Sequence, residues 1–151
     1  MAKPIKINLD FESAAKAVNL PTPSASGDAA NKQYVDDLVA VIQSGVSWKD
    51  SVRAASTANV NTSSPGATID SVSLSANDRV LLKDQSTASQ NGIYIWNGAA
   101  VPMTRAADAD TFADLEAAHV TVEEGTTNGG TSWRQTQVNG TIGSSNVAWT
   151  A

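Results

Sequence analysis

The sequence contains no cysteine and a single histidine, His119, among its 151 residues. Without thiols the chain forms no disulfide, no thiolate metal site and no cysteine nucleophile. One histidine cannot build a zinc site of the usual type, and no serine lies in a Gly-x-Ser-x-Gly elbow with which a histidine could act. The sequence therefore predicts a protein that is not an enzyme and that needs neither a cofactor nor a metal.

Basic residues are scarce as well, with 10 Lys and Arg against 15 Asp and Glu and a formal net charge of -5. They are scattered along the chain, whereas phosphate contacts require clustered basic side chains. No apolar run approaches the length of a membrane span, and the N-terminus lacks the charged and apolar regions of a secretory signal. We therefore expect no nucleic-acid partner, no membrane partner, and a product that stays where it is made until something else releases it.

Turn-forming pairs such as Asn91-Gly92 and Gly129-Gly130 recur from residue 47 onward, at the spacing typical of short antiparallel strands. Between the turns lie β-branched and aromatic runs. These strand-like runs are residues 48–54, 79–83, 93–97, 120–123 and 133–138. The run at 79–83 is nearly all apolar and is expected to be central, and the run at 93–97 is expected to have both faces covered. A short helical turn capped by Asp110 or Thr111 is expected near Phe112 and Leu115.

The predicted fold class is mainly β, with an N-terminal extended arm, one short α-helix, and then a small antiparallel β-barrel or sandwich. Residues 1–27 would form the arm and a linker, residues 28–45 an oligomerisation helix, and residues 46–151 a β-rich displayed domain. The length of the chain suits one core of ordinary size with such an extension.

Apolar residues alternate with polar residues near the N-terminus, which predicts a short strand. This arm has no hairpin partner of its own, so it would add to a sheet elsewhere in the chain or on another protein. An edge strand folded back on its own domain is the alternative. The candidate anchoring residues are Ile5, Ile7, Leu9 and Phe11.

The helix predicted at 28–45 would be capped by Asp28 or Ser26 and would end at Gly45. It carries one apolar stripe that is too short to be stable alone in water. The stripe predicts either packing on the same domain or self-association around a twofold or threefold axis. Its candidate oligomerisation residues are Tyr34, Val35, Leu38, Val41 and Ile42.

Acidic residues form two small groups without the pattern of a reactive site. Asp108 and Asp110 lack the later ligands of a calcium loop, and Arg105 offers a simpler partner, so a salt bridge or a helix cap is favoured. Glu123 and Glu124 are adjacent, so on a strand they would point to opposite faces, unlike a glycosidase pair.

Tryptophan supplies four of the eight aromatic residues. Trp48 and Trp133 are expected in the core. Trp96 and Trp149 are the candidate surface or interface residues, where an indole could stack on a sugar ring of a cell envelope.

Several segments together resemble the linker-helix and the small β-rich domain of bacteriophage fibre and minor tail proteins. They are PTPSASGDAANKQYVDD at 21–37, SWKDSVRAAST at 47–57, DRVLLKDQSTASQNGIYIWNG at 78–98, TRAADADTF at 104–112 and VEEGTTNGGTSWRQT at 122–136. The opening PIKINLDFESAAKAVNLPTP at 4–23 resembles the N-terminus of such proteins. The resemblance implies a virion structural protein, assembled as a homotrimer and docked on other virion proteins of the tail or capsid. It also allows contact with host envelope glycan. A capsid head fibre or decoration protein is the alternative within the same biology. A carbohydrate-binding module and a polysaccharide depolymerase are the alternatives outside it.

Overall fold

A computed structural model describes residues 20–25, 27–35 and 45–151. The chain contacts divide it into two units, Met1–Ile42 and Gln43–Ala151. Several predicted residues lie outside the described ranges. These are the anchoring residues Ile5, Ile7, Leu9 and Phe11, the cap candidate Ser26, and the stripe residues Leu38, Val41 and Ile42.

Among the described residues of the N-terminal unit, helical residues begin at 32, and residues 32–35 are called α1. The side-chain oxygen of Asn31 accepts a hydrogen bond of 2.7 Å from the backbone N–H of Tyr34, and its carbonyl accepts one of 3.2 Å from Val35. Asn31 is therefore the N-cap. The prediction that the helix starts at 28 was wrong by one turn.

The carboxylate of Asp28 is engaged in the turn that precedes the helix. It accepts hydrogen bonds of 2.8 Å from the backbone N–H groups of Ser24 and Ala25. These bonds lower the pKa of Asp28 from its usual value, with the bond from Ser24 the largest cause. Because the carboxylate is used there, Asp28 is not the cap of α1.

The described residues of the second unit, 45–151, form ten short strands, one 3₁₀ turn and one helical turn, which confirms the prediction of a mainly β fold. The strands are β1 (Ser47–Trp48), β2 (Ala54–Ala55), β3 (Thr68–Ile69), β4 (Val72–Ser73), β5 (Arg79–Leu82), β6 (Gly92–Ile95), β7 (Thr104–Arg105), β8 (Ala118–Thr121), β9 (Ser132–Gln135) and β10 (Trp149–Thr150). The 3₁₀ turn is Ala88–Gln90, and the helical turn α2 is Phe112–Leu115.

The strands form two four-stranded sheets and a separate hairpin. Sheet 1 has the order β1-β8-β9-β10, sheet 2 has the order β2-β5-β6-β7, and β3 pairs with β4. Both four-stranded sheets are open, so the described strands of this unit do not close into a barrel. The pairing is also not purely antiparallel as predicted, because β1 runs parallel to β8 and β2 runs parallel to β5.

The parallel pairs arise because one extended stretch, residues 47–56, serves both sheets. We call it the crossover segment. It first pairs with β8, then forms an isolated parallel bridge between Val52 and Val122, and finally pairs with β5. The predicted strand at 48–54 is therefore extended, but it lies along the edges of two sheets and not within one.

The main core lies between the two sheets. Val52 of the crossover segment, Leu81 of β5, Ile93 of β6 and Val120 of β8 are all buried there. The helical turn α2 contributes two further core residues, Phe112 and Leu115. Its N-cap is Thr111, which exchanges hydrogen bonds with Asp114 in a capping box, so the predicted position and one of its two predicted caps are confirmed.

A second core covers the other face of sheet 2. Val80 and Leu82 of β5 and Tyr94 of β6 pack there against the hairpin residues Ile69 and Val72. Successive residues of β5 and β6 thus enter different cores, as the period of two in a strand requires. Both faces of sheet 2 are covered by the chain itself, which confirms the central position predicted for β5 and the double cover predicted for β6.

We expect Leu81→Ala to lower the free energy of unfolding by about 2–5 kcal/mol, because it opens a cavity at a fully buried position between the sheets. Val138→Ala removes apolar atoms from a side chain that is 66% exposed and should change stability by about 0.5 kcal/mol or less. Denaturant unfolding of both variants measures the difference. Equal stabilities would contradict the packing described for β5.

Candidate functional site

Of the two aspartates near α2, Asp108 forms a structural ion pair. Both carboxylate oxygens of Asp108 accept hydrogen bonds from the Arg79 guanidinium, at 3.0 and 2.9 Å. The predicted salt bridge is present, but its partner is Arg79 and not Arg105. Arg105 instead donates to the carbonyls of Ser89 and Asn91, at 3.0 and 3.1 Å, because its strand β7 lies beside β6 at the sheet edge.

The two glutamates after β8 are held by different neighbours. The side chain of Glu123 accepts a hydrogen bond from the hydroxyl of Ser51, and Glu124 lies 3.4 Å from the Arg53 guanidinium. Arg53 also pairs with Asp78 at 2.8 Å. Because the two carboxylates have different partners, they do not act as a pair on one proton or one substrate. This agrees with the opposite directions predicted for them.

A polar clasp that the sequence reading missed joins the β3–β4 hairpin to the loop after Glu124. Asp70 and Ser71 form the two-residue turn of the hairpin, both with positive φ. The Asp70 carboxylate accepts hydrogen bonds from the backbone N–H groups of Thr127, at 3.0 Å, and Asn128, at 2.7 Å. The two ends are 58 residues apart, so no local pattern could have indicated this contact.

Asn128 carries the clasp into the crossover segment. Its side chain is almost fully buried, and its amide donates to the carbonyls of Ala55 and Ser56 at 3.3 Å each and to Asp70 at 3.2 Å. Burial raises the pKa of Asp70, but the hydrogen bonds from Asn128 and Thr127 together outweigh it, so the pKa lies below its usual value. The ionised form of Asp70 is thus the form that the loop stabilises.

An open groove of about 350 Å³ lies beside this clasp. Its lining includes Arg53, Asp70, Glu124 and Thr126. The charged groups in the lining are already paired with one another or with backbone groups. The groove has a polar surface, but its charged groups are already engaged. We therefore assign it a structural role.

The four tryptophans do not follow the predicted division between core and surface. Trp48 is 68% exposed, so the expectation that it lies in the core was wrong. It stands in β1, an edge strand, and on the outer face of sheet 1. Trp96 is only 8% exposed, and its indole N–H donates to the Gly66 carbonyl at 2.9 Å, so it is a core residue and not a surface contact.

The remaining two tryptophans are half-buried against the core between the sheets. Trp133 donates from its indole N–H to the hydroxyl of Thr131 at 2.9 Å, and the ammonium of Lys83 lies 4.4 Å from its ring centre. Trp149 packs on the same core from β10. Neither indole presents a fully open face, so the strongest aromatic surface feature of the second unit is Trp48.

His119 stands beside Trp48. The ring centroids are 5.3 Å apart at an interplanar angle of 46°. The His119 Nδ1 atom lies 3.1 Å from the carbonyl oxygen of Ala117, so an N–H at Nδ1 donates to that carbonyl. Among the described residues, no carboxylate or hydroxyl is hydrogen-bonded to this ring, which leaves His119 without the partners of a catalytic triad.

Within the described residues, no group of three or more His, Asp or Glu side chains is placed to hold a metal ion. No helix in the described ranges is long and apolar enough to cross a membrane.

Of the predicted oligomerisation residues, the structure describes Tyr34, which is half-buried, and Val35, which is 46% exposed.

Comparison with protein-family models, with curated proteins and with solved structures found no match for this chain. The resemblance to phage fibre and minor tail proteins therefore rests on the sequence segments alone.

We expect Asp70→Asn to destabilise the protein at neutral pH, because the amide loses the charge that the loop N–H groups stabilise. Asparagine tolerates the positive φ of the turn, so the backbone is not strained. The folded pKa is lowered, so the contribution is present above the unfolded value of about 3.9 and is lost as the pH falls through the folded value. Thermal unfolding at a series of pH values measures it.

The matched control is Asp110→Asn, which neutralises an exposed carboxylate with no partner among the described residues. The gap in melting temperature between Asp70→Asn and the parent should close below about pH 4, whereas the control should stay near the parent at neutral pH. A gap that does not change with pH would contradict the assigned role of the charge.

Proposed function

We propose that this chain is a structural protein of a bacteriophage virion, a trimeric tail fibre or minor tail protein. Residues 1–20 dock on another virion protein, the apolar stripe that begins at Tyr34 joins three copies, and the β-rich unit is displayed outward. The observation that carries the proposal is the set of sequence segments that resemble such proteins, which extends from residue 4 to residue 136.

The division into two units supports the proposal. A displayed domain must keep its fold without help from the anchor, and the unit Gln43–Ala151 holds two cores composed of its own residues. The charged groups around its groove, and Asp108 near α2, are paired within the unit. Such a domain suits a stable surface module better than it suits an active site.

The proposed mechanism is avidity. Three copies held by one anchor place three weak surface contacts at high effective concentration, so the assembly binds a surface more tightly than a single copy. A trimer therefore needs no deep pocket on each copy. A shallow exposed feature on the outer face of each domain would be sufficient.

The oligomeric part of the proposal is tested by light scattering after gel filtration of the full chain. We expect a trimer, and we expect Leu38→Asp to reduce it to a monomer because a charge enters the apolar stripe. Gln43→Asp places the same charge on the polar face of the predicted helix and should leave the trimer intact. A parent chain that is monomeric would overturn assembly through this stripe.

The location is tested by gold-labelled antibodies against the β-rich unit on intact phage particles. Label on the tail would support a fibre or minor tail protein. Label on the capsid would replace that assignment with a head fibre or decoration protein. Particles that lack the protein altogether would overturn the structural role.

A further inference from the structure

A row of four side chains crosses the outer face of sheet 1. The strand register places Trp48 beside His119, His119 beside Arg134, and Arg134 beside Thr150. Residues opposed in this way point to the same face of a sheet. The neighbouring residues Ala118 and Val120 of β8 are buried, so the row lies on the side away from the core. We call these four residues the outer row.

Arg134 is the unusual cation of the outer row. Its side chain is exposed and makes no ion pair or hydrogen bond with any described residue. The other three arginines of the sequence are engaged. Arg53 pairs with Asp78 and Glu124, Arg79 pairs with Asp108, and Arg105 donates to two carbonyls. In a chain of net charge -5, an unpaired guanidinium on the same sheet face as an exposed indole, two strands away, is a distinct binding feature.

We propose that the outer row binds an acidic saccharide, a sugar ring that carries a carboxylate or a phosphate. The exposed face of Trp48 packs against the apolar face of the ring. Arg134 donates two parallel hydrogen bonds to the acidic group, the geometry that a guanidinium forms with a planar carboxylate. The two positions are separated by two strand spacings, about 9.6 Å, a gap that the arginine side chain shortens.

His119 lies between Trp48 and Arg134 and positions the indole. Its ring lies against Trp48 and is fixed at Nδ1 by the Ala117 carbonyl. The Nε2 atom has no hydrogen-bond partner among the described residues, which leaves it free for a sugar hydroxyl. An aromatic face with a few convergent polar groups is the composition of small-ligand sites.

Two other occupants fit the outer row less well. A twofold pairing of this face with itself would bring like-charged surfaces together, since each copy contributes an unpaired Arg134. A nucleic acid would need several clustered cations to replace its counterions, and the row supplies one guanidinium. One positive charge beside one aromatic face matches one acidic group beside one sugar ring. The inference rests on the proposed function for the source of the sugar, the host envelope.

The test is titration calorimetry of the full chain with trigalacturonate, with the neutral galactose trimer, and with galactose 6-phosphate. We expect binding of at least one acidic probe, and at least tenfold weaker binding of the neutral trimer. Trigalacturonate alone would assign a carboxylate, and galactose 6-phosphate alone would assign a phosphate. No binding of either acidic probe at millimolar concentration would overturn the proposal.

Variants of the outer row should act separately on the ring and on the charge. Trp48→Leu keeps an apolar side chain but removes the flat ring, and Arg134→Glu reverses the charge. Each should weaken binding of the acidic probe at least tenfold. Val138→Ala and Lys32→Ala are the controls. The first removes exposed apolar atoms and the second removes one positive charge, each at a residue that is not part of the outer row. Equal binding by parent and row variants would overturn the proposal.

Circular dichroism checks that each variant keeps the parent fold. If Trp48→Leu fails to fold, Arg134→Glu and its control decide the question alone.

Failure of the proposed virion role and failure of the proposed sugar site give different results. A chain found on phage particles that binds neither acidic probe would lose only the sugar site, whereas a chain that binds a probe but is missing from particles would lose only the virion role.

Discussion

The crossover segment is the constraint on which the rest of the β-rich unit depends. The backbone N–H of Val52 bonds to the carbonyl of Thr121 at the end of β8, and the N–H of Arg53 bonds to the carbonyl of Arg79 at the start of β5, at 2.9 and 2.8 Å. Adjacent residues thus bond to different sheets. This arrangement fixes the distance between the sheets, and the core fills the space that it defines.

The polar contacts around the crossover segment determine which side of it faces each sheet. Arg53 reaches Asp78 just before β5, Glu123 is bonded to Ser51, and the buried amide of Asn128 bonds to carbonyls at the end of the segment. Partly exposed ion pairs contribute little net stability. A buried amide left without its partners costs much more, so these contacts act chiefly by penalising other registers.

Sequence reasoning found the elements whose signals are local. The apolar run of β5, the alternation in β6 and the threonine cap of α2 each depend on residues within a few positions of one another, and each was predicted close to its observed place. The parallel pairs were missed because the partners of the crossover segment lie tens of residues away. The helix start was misplaced because Asp28 and Asn31 are both good caps, and tertiary and turn contacts decide between them.

The same limit explains the tryptophans. A hydrophobicity scale ranks Trp48 and Trp96 alike. What separates them is the sheet beside which each lies and how many faces of that sheet are covered.

Trp96 directly follows β6 in sheet 2, which has a core on each face, and it is almost fully buried in the second core. Trp48 is in an edge strand of sheet 1, where one face is packed and the other is open.

An antiparallel or mixed sheet with one core face normally presents polar side chains on the other face. Sheet 1 follows this rule at Thr121, Ser132 and Thr150, so the exposed indole of Trp48 departs from it.

Burial of that indole by the chain itself would have been favourable, because it removes apolar surface from water. Its place on the open face of the other sheet is the reason to seek its partner outside the domain, and the unpaired Arg134 two strands away indicates the charge of that partner.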